Sequence, residues 1–308
     1  MRCSISEWRC IAVLLAPVSA SLWGAAFTLP QTGDDLVGEV ATTTARDEDT
    51  LLDLGRRNDL GYAEIVAANP GVDPWVPGAG TRIVLPTQFI LPPGPRDGIV
   101  VDLAQMRLFY FPASRPGEPS RVITHPIGVG REYRLPPVGA TRVVRKAKNP
   151  SWRPPDWVRK EHERDGDVLP SVVPPGPDNP LGEYALYLGM PGYLIHGTNR
   201  PWGIGMRVSG GCVRLYPEDI GPLYEQVPVG TPVRIANEPF VLGRRRGALY
   251  LKVFAALGDD AVTEPYDLTP VVKAVLERLA PGEKPDWDAA MRATQRRGVP
   301  VQVTRAAR

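Results

Sequence analysis

Cysteine is scarce in this chain: Cys3, Cys10 and Cys212 are the three among 308 residues. That excludes a dense disulfide framework and a thiolate zinc cluster. Histidine is as rare, at His125, His162 and His196. One cysteine beside one well-placed histidine is too few ligands for zinc, so neither a metal nor another cofactor is expected. Charge of one sign is also missing, since 36 basic and 34 acidic residues are interspersed to a net +2. Nucleic acid and a polybasic membrane contact are therefore excluded as the main partner. Past Phe27 no long hydrophobic run remains, so no transmembrane segment is expected in the mature chain. Proline is plentiful, at 35 residues, which predicts extended segments and rigid turns.

The N-terminus reads as a leader. Arg2 and Arg9 precede an apolar run over 11–27, followed by small residues at Ala20, Gly24, Ala25 and Ala26. That pattern predicts a secretory signal over 1–26, cleaved after Ala20 or near Ala26. A membrane anchor fits less well, because Pro17 interrupts a run already short of the roughly 20 residues needed to span. Export removes Cys3 and Cys10 and leaves Cys212 alone. A solitary cysteine is either a small buried hydrophobe or a deliberate free thiol, and its count does not choose.

Three regions follow. Over 38–87, VATTTA (40–45) reads as a strand and DTLLDLGRR (49–57) as a helix capped by Asp49 or Thr50. YAEIVAAN (62–69) is a second helix stopped by Asn69-Pro70-Gly71, and TRIVLP (81–86) a second strand. EDTLLDLGRR and GYAEIVAANPGVDPWVPGAGTRIVLP, in that order, resemble the LysM domain, which binds the glycan of peptidoglycan and chitin. The usual opening Gly-Asp-Thr stands here as Glu48-Asp49-Thr50. A small α/β spacer without a ligand is the competing reading. After the linker 87–98, the region 98–237 is β-rich, with strand patterns at 99–111, 121–130, 141–148, 183–189, 193–197 and 231–236. MRLFYF is expected to be a central strand. The proline-laden stretch 149–182 reads as an ordered loop with one short helix, DWVRKEHER, and 216–227 as a helix behind the cysteine. The extension 238–308 carries a strand at 247–254 and helices at 268–280 and 286–298.

Cys212 lies in RVSGGCVRL (207–215). A free thiol of pKa near 8.5 is only a few per cent ionised at neutral pH, so a nucleophilic cysteine needs a base. A histidine within hydrogen-bond reach can take the proton, forming a thiolate–imidazolium pair, and later return it to a leaving amine. That histidine needs a third group to fix its tautomer, and a backbone carbonyl serves. The attacked carbonyl needs N–H donors, which a tight glycine-rich turn such as SGGC supplies. His162, inside KEHER, reads as a surface residue, and His125 carries no assigned role. His196 ends the apolar run YLI beside Gly197 and is the candidate base.

HGTNRPWGIGMRVSGGCVRL (196–215) closely resembles the active-site segment of the L,D-transpeptidases with a YkuD-type catalytic domain. The shared features are His-Gly-Thr, the spacing of sixteen from His196 to Cys212, the Ser209-Xaa-Gly211-Cys212 core and Arg214. PPGPDNPLGEYALYL (174–188) and IVVDLAQMRLFYF resemble the Gram-negative periplasmic branch, over roughly residues 27–255 in all. The resemblance implies a mainly β catalytic domain, a YkuD-like β-sandwich. A small α+β LysM-like module precedes it and a small α-containing C-terminal extension follows.

The resemblance also implies roles. Cys212 is the nucleophile on a peptidoglycan tetrapeptide stem, attacking between the third, diamino-acid residue and D-alanine. His196 is base and then acid, oriented by the carbonyl of Gly197, and the N–H groups of Gly211 and Cys212 form the oxyanion hole. Arg214 holds the loop or a substrate carboxylate, while Thr198, Asn199, Trp202, Ser209 and Gly210 line the cleft. The implied setting is the periplasm, with peptidoglycan stems and glycan as partners. The acceptor is another stem or the C-terminal lysine of an outer-membrane lipoprotein. Hydrolysis by an L,D-carboxypeptidase and a non-catalytic peptidoglycan-binding module are the alternatives. One departure stands out: Gly210 occupies the place where many relatives carry a second histidine.

Overall fold

A computed structural model describes residues 24–30, 33–131, 134–254, 268–295 and 297–304. Most of the expected leader and the basic end at Arg305 and Arg308 lie outside the described residues. The chain begins with β1 (Ala25–Thr28), β2 (Leu36–Gly38), β3 (Ala41–Thr44), α1 (Leu51–Arg57), α2 (Tyr62–Ala68), β4 (Arg82–Leu85) and β5 (Gln88–Ile90). The middle part starts with β6 (Gly98–Asp102), β7 (Arg107–Phe111), β8 (Arg121–Pro126), β9 (Val129–Gly130), β10 (Gly139–Lys148) and α3 (Asp156–Arg164). It continues through β11 (Tyr184–Leu188), β12 (Leu194–His196), β13 (Arg207–Ser209), β14 (Val213–Arg214), α4 (Pro217–Gln226) and β15 (Pro232–Ala236). The last part holds β16 (Phe240–Arg245), β17 (Ala248–Val253), α5 (Thr269–Arg278), α6 (Trp287–Gln295) and β18 (Val301–Gln302).

Nine strands form one mixed sheet in the order β1-β8-β7-β6-β15-β10-β11-β12-β14. The run 99–111, a single strand pattern in the sequence, folds as the hairpin β6–β7. Asp102 makes the turn by accepting the N–H groups of Ala104 and Gln105 at 3.1 and 3.2 Å, and Met106 reverses the chain at φ +52°. Both strands are buried throughout, which explains the apolar run without clean alternation. One hairpin face gives Ile99, Val101, Leu108 and Tyr110 to a core shared with Val143, Leu186, Ile195, Val213 and Ile235. Strands from the middle and the far end of the sheet meet in that one core, so the sheet must curl around it as a half-barrel.

The opposite face gives Val100, Phe109, Phe111 and Val122 to a second core, completed by Leu51, Leu54, Leu60, Ile65, Ile83 and Phe89. The α1–α2 region therefore closes its core against the sheet, as expected for a piece too small to bury enough surface alone. α1 starts with a capping box: Thr50 Oγ1 accepts from Asp53 N–H at 3.0 Å, and the Asp53 carboxylate accepts from Thr50 N–H at 3.3 Å. Arg107 pins the two layers. Its guanidinium donates to Glu64 at 2.7 Å, Thr124 at 2.9 Å and the Asp59 carbonyl at 3.1 Å, over the ring of Phe89. A buried guanidinium needs such a set of partners to offset its lost hydration.

The extension pairs β16, β17 and β18 and packs them on α5 and α6 through Leu249, Leu251, Val253, Val271, Val275 and Ala289. β16 is an addition to the expected elements; its partly buried face did not stand out as a strand in the sequence. α5 begins at Thr269 with no side-chain cap, and Pro270 fills its first turn. Among the described residues no helix is long and apolar enough to cross a membrane.

Candidate active site

β12 and β14 pair in parallel, Ile195 with Val213 and His196 with Arg214. His196 and Arg214 thus lie side by side, and Cys212 stands in the bend just before β14, two positions from Arg214. Cys212 is the free cysteine among the described residues and is half-buried. Its Sγ–H donates to the carbonyl of Gly192 at 3.6 Å, rather than to His196. Burial pushes the thiol pKa up, with the Leu194 backbone and the charge of Arg214 opposing.

His196 is buried, and its Nδ1 lies 2.6 Å from the carbonyl of Gly197. A carbonyl can only accept, so Nδ1 carries the proton and Nε2 the lone pair. Burial, followed by the charge of Arg214, pulls the imidazole pKa down to about 3, against the carbonyls of Gly197 and Leu181. Burial thus favours the neutral form of both the thiol and the imidazole. Arg214 is anchored through its backbone, which exchanges hydrogen bonds of 2.8 and 2.9 Å with Gly128. Its Nε is buried without a hydrogen-bond partner, and burial lowers its pKa. A guanidinium in that state favours an anion beside it.

The SGGC turn is held by Ser209, whose Oγ accepts from Gly211 N–H at 3.2 Å and donates to the Cys212 carbonyl at 2.7 Å. Gly211 sits at φ +122°, and a Cβ there would stand 2.9 Å from the Arg134 carbonyl, so only glycine fits. At Gly210 a Cβ would stand 2.8 Å from the ring of Trp157. Trp157 comes from α3, with the Arg134 guanidinium 3.4 Å from its ring centre, and an Arg131–Glu161 ion pair of 2.7 Å ties the same helix down. An indole thus fills the space above Gly210.

The other predicted residues divide by environment. Thr198 is buried and its Oγ1 accepts from Arg200 N–H at 2.9 Å. Asn199 donates to the Pro177 carbonyl at 3.2 Å, joining the long 149–182 loop to the site. Trp202 is 57% exposed on a 3-10 turn, Pro201–Gly203. His162 pairs with Asp167 at an exposed position, as expected of a surface residue. Sequence reasoning missed Trp157, Arg134, Leu181 and Gly192. Trp157 carried the one available signal, a large ring in an otherwise charged helix.

A free thiol two positions from Arg214, whose strand partner is a histidine held by its neighbour's carbonyl, is an arrangement suited to thiol acyl transfer. The family model for the YkuD L,D-transpeptidase catalytic domain matches residues 96–235. The chain is 38% identical over 302 residues to the Probable L,D-transpeptidase YcfS of Escherichia coli, covering 96% of this chain and 92% of that protein. It is 39% identical to the Escherichia coli ErfK/SrfK protein, also named a probable L,D-transpeptidase, over 92% of both chains. The Escherichia coli YbiS protein, of the same description, is 39% identical over 90% of this chain and 91% of its own. The chain belongs to the L,D-transpeptidase family with a YkuD-type catalytic domain. It is a cysteine-dependent enzyme.

Proposed function

We propose that the enzyme is a periplasmic transpeptidase of peptidoglycan tetrapeptide stems, with Cys212 as nucleophile and His196 as base. The observation that carries this reading is the β12–β14 pairing, which sets His196 beside Arg214 with the thiol two positions away. Because burial favours the neutral thiol and the neutral imidazole, proton transfer accompanies attack instead of preceding it. Sulfur bonds to the carbonyl carbon of the third stem residue while its proton passes to His196. Gly211 N–H then exchanges Ser209 Oγ for the oxyanion, beside Cys212 N–H. His196 protonates D-alanine as the C–N bond breaks, leaving a thioester. An amine resolves it and the thiol is restored. The unpartnered Nε of Arg214 supports contact with an anion, either the forming thiolate or a stem carboxylate.

The acceptor is a second stem or the C-terminal lysine of a lipoprotein. Within the same proposal, residues 1–26 direct Sec export, 38–87 form a LysM-like module, 98–237 the catalytic domain and 238–308 an extension. Glycan contact by the module is supported by Trp75, exposed by 57% and stacked on Tyr62 at 6.0 Å. The test incubates the mature protein with disaccharide tetrapeptide. Free D-alanine and an acyl mass on Cys212 are expected. Cys212→Ala abolishes both, and His196→Ala slows release by about 10²–10⁴-fold, with wall binding intact. No D-alanine and no adduct would overturn the reading. Supplying both acceptors and weighing the products separates stem, lipoprotein and water as the resolving group.

A further inference from the structure

A second buried polar cluster lies outside the thiol site. Asp59 leaves the end of α1 at φ +54°, His125 projects from β8 and Asp219 from the first turn of α4. Donor atoms of the three lie within 4.8 Å of one another. Asp59 Oδ1, Asp219 Oδ2 and His125 Nδ1 are all buried without a hydrogen-bond partner, although His125 Nδ1 stands 3.2 Å from Asp219 Oδ1. His125 and Asp219 are 1% and 4% exposed. The facing cation is Arg107, 3.5 Å from Asp59 but already committed to Glu64; Lys252, also buried, faces Glu64 and Arg107. Two spare carboxylate oxygens in a buried site call for a donor that brings charge.

A backbone donor reaches the cluster from the nitrogen of Ala25, which donates to Asp59 Oδ2 at 2.7 Å. Ala25 is the first residue of β1 and the first rung of its pairing with β8, opposite Thr124. An amide there presents one proton and no charge. We propose that export ends by cleavage after Gly24, and that the amino group freed on Ala25 sits in the Asp59–Asp219 cluster as a buried ammonium. This rests on the export reading above and moves the end of the leader from residue 26 to Gly24. A signal peptidase hydrolyses the Gly24–Ala25 bond: water gives its hydroxyl to the Gly24 carbonyl carbon and a proton to the Ala25 nitrogen. A second proton from solvent makes the ammonium. Three N–H donors then face the cluster in place of one.

The alternatives fit the geometry less well. Cleavage after Ala26 removes the first two rungs of β1 and the donor to Asp59 together. Cleavage after Ala20 keeps Gly24, at φ +63° beside the His125 ring where only glycine fits, but leaves the Ala25 nitrogen an uncharged amide with one proton. Cleavage after Gly24 puts a small residue at the end of the leader, with Leu22 in place of the small residue usual three positions before the cut, and frees a charged amine where the cluster lacks one. Charge points the same way. In the uncleaved chain burial, and then the neighbouring Asp219, push Asp59 up to about 7. An ammonium on Ala25 supplies the missing counter-charge.

The test exports the full chain from its own leader and reads the first residue of the purified protein. Ala25 is expected. Reductive methylation of the native protein should label the Ala25 amine about tenfold or more slower than after unfolding, since each unit by which its pKa rises removes about tenfold of the free amine. Asp59→Asn should restore fast labelling. Should that variant fail to fold, a protein beginning one residue earlier, at Gly24, leaves Asp59 untouched and should melt at a lower temperature. A first residue of Ser21 or Phe27 overturns the proposal and leaves the export reading standing; retention of Met1 overturns both. Fast labelling of an Ala25 amine, or a stoichiometric metal ion bound by Asp59, His125 and Asp219, also overturns it.

Discussion

Two groups at the site titrate in opposite senses for the same reason. Burial favours the neutral form of each, raising Cys212 and lowering His196 to about 3. Iodoacetamide alkylation of Cys212 in the exported protein should therefore climb through pH 7 and beyond 9. A plateau below pH 7 would mean a preformed ion pair and defeat this account. Arg214→Met removes a cation that favours thiolate, so the thiol pKa rises and alkylation at pH 8 slows. At this scale the sequence was informative where chemistry is local. His-Gly-Thr carries the histidine and its orienting carbonyl in adjacent residues, and Ser-Gly-Gly-Cys carries the turn. Leu181 and Gly192 were invisible because they act through backbone carbonyls, which any residue could supply.

Helix α3 has no buried residue, yet Trp157 rests on Gly210 and Arg134 lies over its ring. Gly210→His must displace the indole. The remaining Arg131–Glu161 tie, half-exposed, is worth at most about 1 kcal/mol, too little to hold the helix once the indole is displaced. Trypsin should then cut at Arg159, Lys160 or Arg164 faster in the variant, read by mass spectrometry. Unchanged cleavage would show that α3 is held elsewhere. Strand β7 makes the complementary case. Phe109 is fully buried in the core shared with α1 and α2, so Phe109→Ala should cost about 3–5 kcal/mol in denaturant unfolding and loosen that layer first. The helices themselves were legible, from Thr50 with Asp53 and from Asn69 before Pro70. The surface they pack on was not, because a strand buried on both faces shows no alternation to say which side meets which partner.

Over the whole molecule, Arg244 of β16 holds the extension. It donates to Glu283 at 2.7 Å, to the Arg278 carbonyl at 2.5 Å and to the Gly247 carbonyl at 2.6 Å. The hydrogen bond from Arg244 is the main reason that the Glu283 pKa falls to about 2. A depressed carboxylate contributes stability that is present above its unfolded value near 4.5 and lost as pH falls through about 2. Glu283→Gln should lower the melting temperature at pH 7, and the gap to the parent protein should close toward pH 2. A gap independent of pH would assign the effect to packing. Asp35 adds a second tie, accepting from Arg244 N–H at 3.0 Å and from Arg96 at 2.6 Å. The extension thereby meets the beginning of the described chain, an arrangement that no spacing in the sequence announced.

By itself the sequence determined the family and most of the order of elements, and pointed to Cys212 with His196, because these depend on residue types close together along the chain. Only the tertiary structure decided the charge state of the thiol site, the indole over Gly210, the core shared between helices and sheet, and the acidic cluster facing Ala25. Each of those depends on burial or on a contact between distant segments. Desolvation and close packing are properties of the folded volume, not of neighbours in sequence.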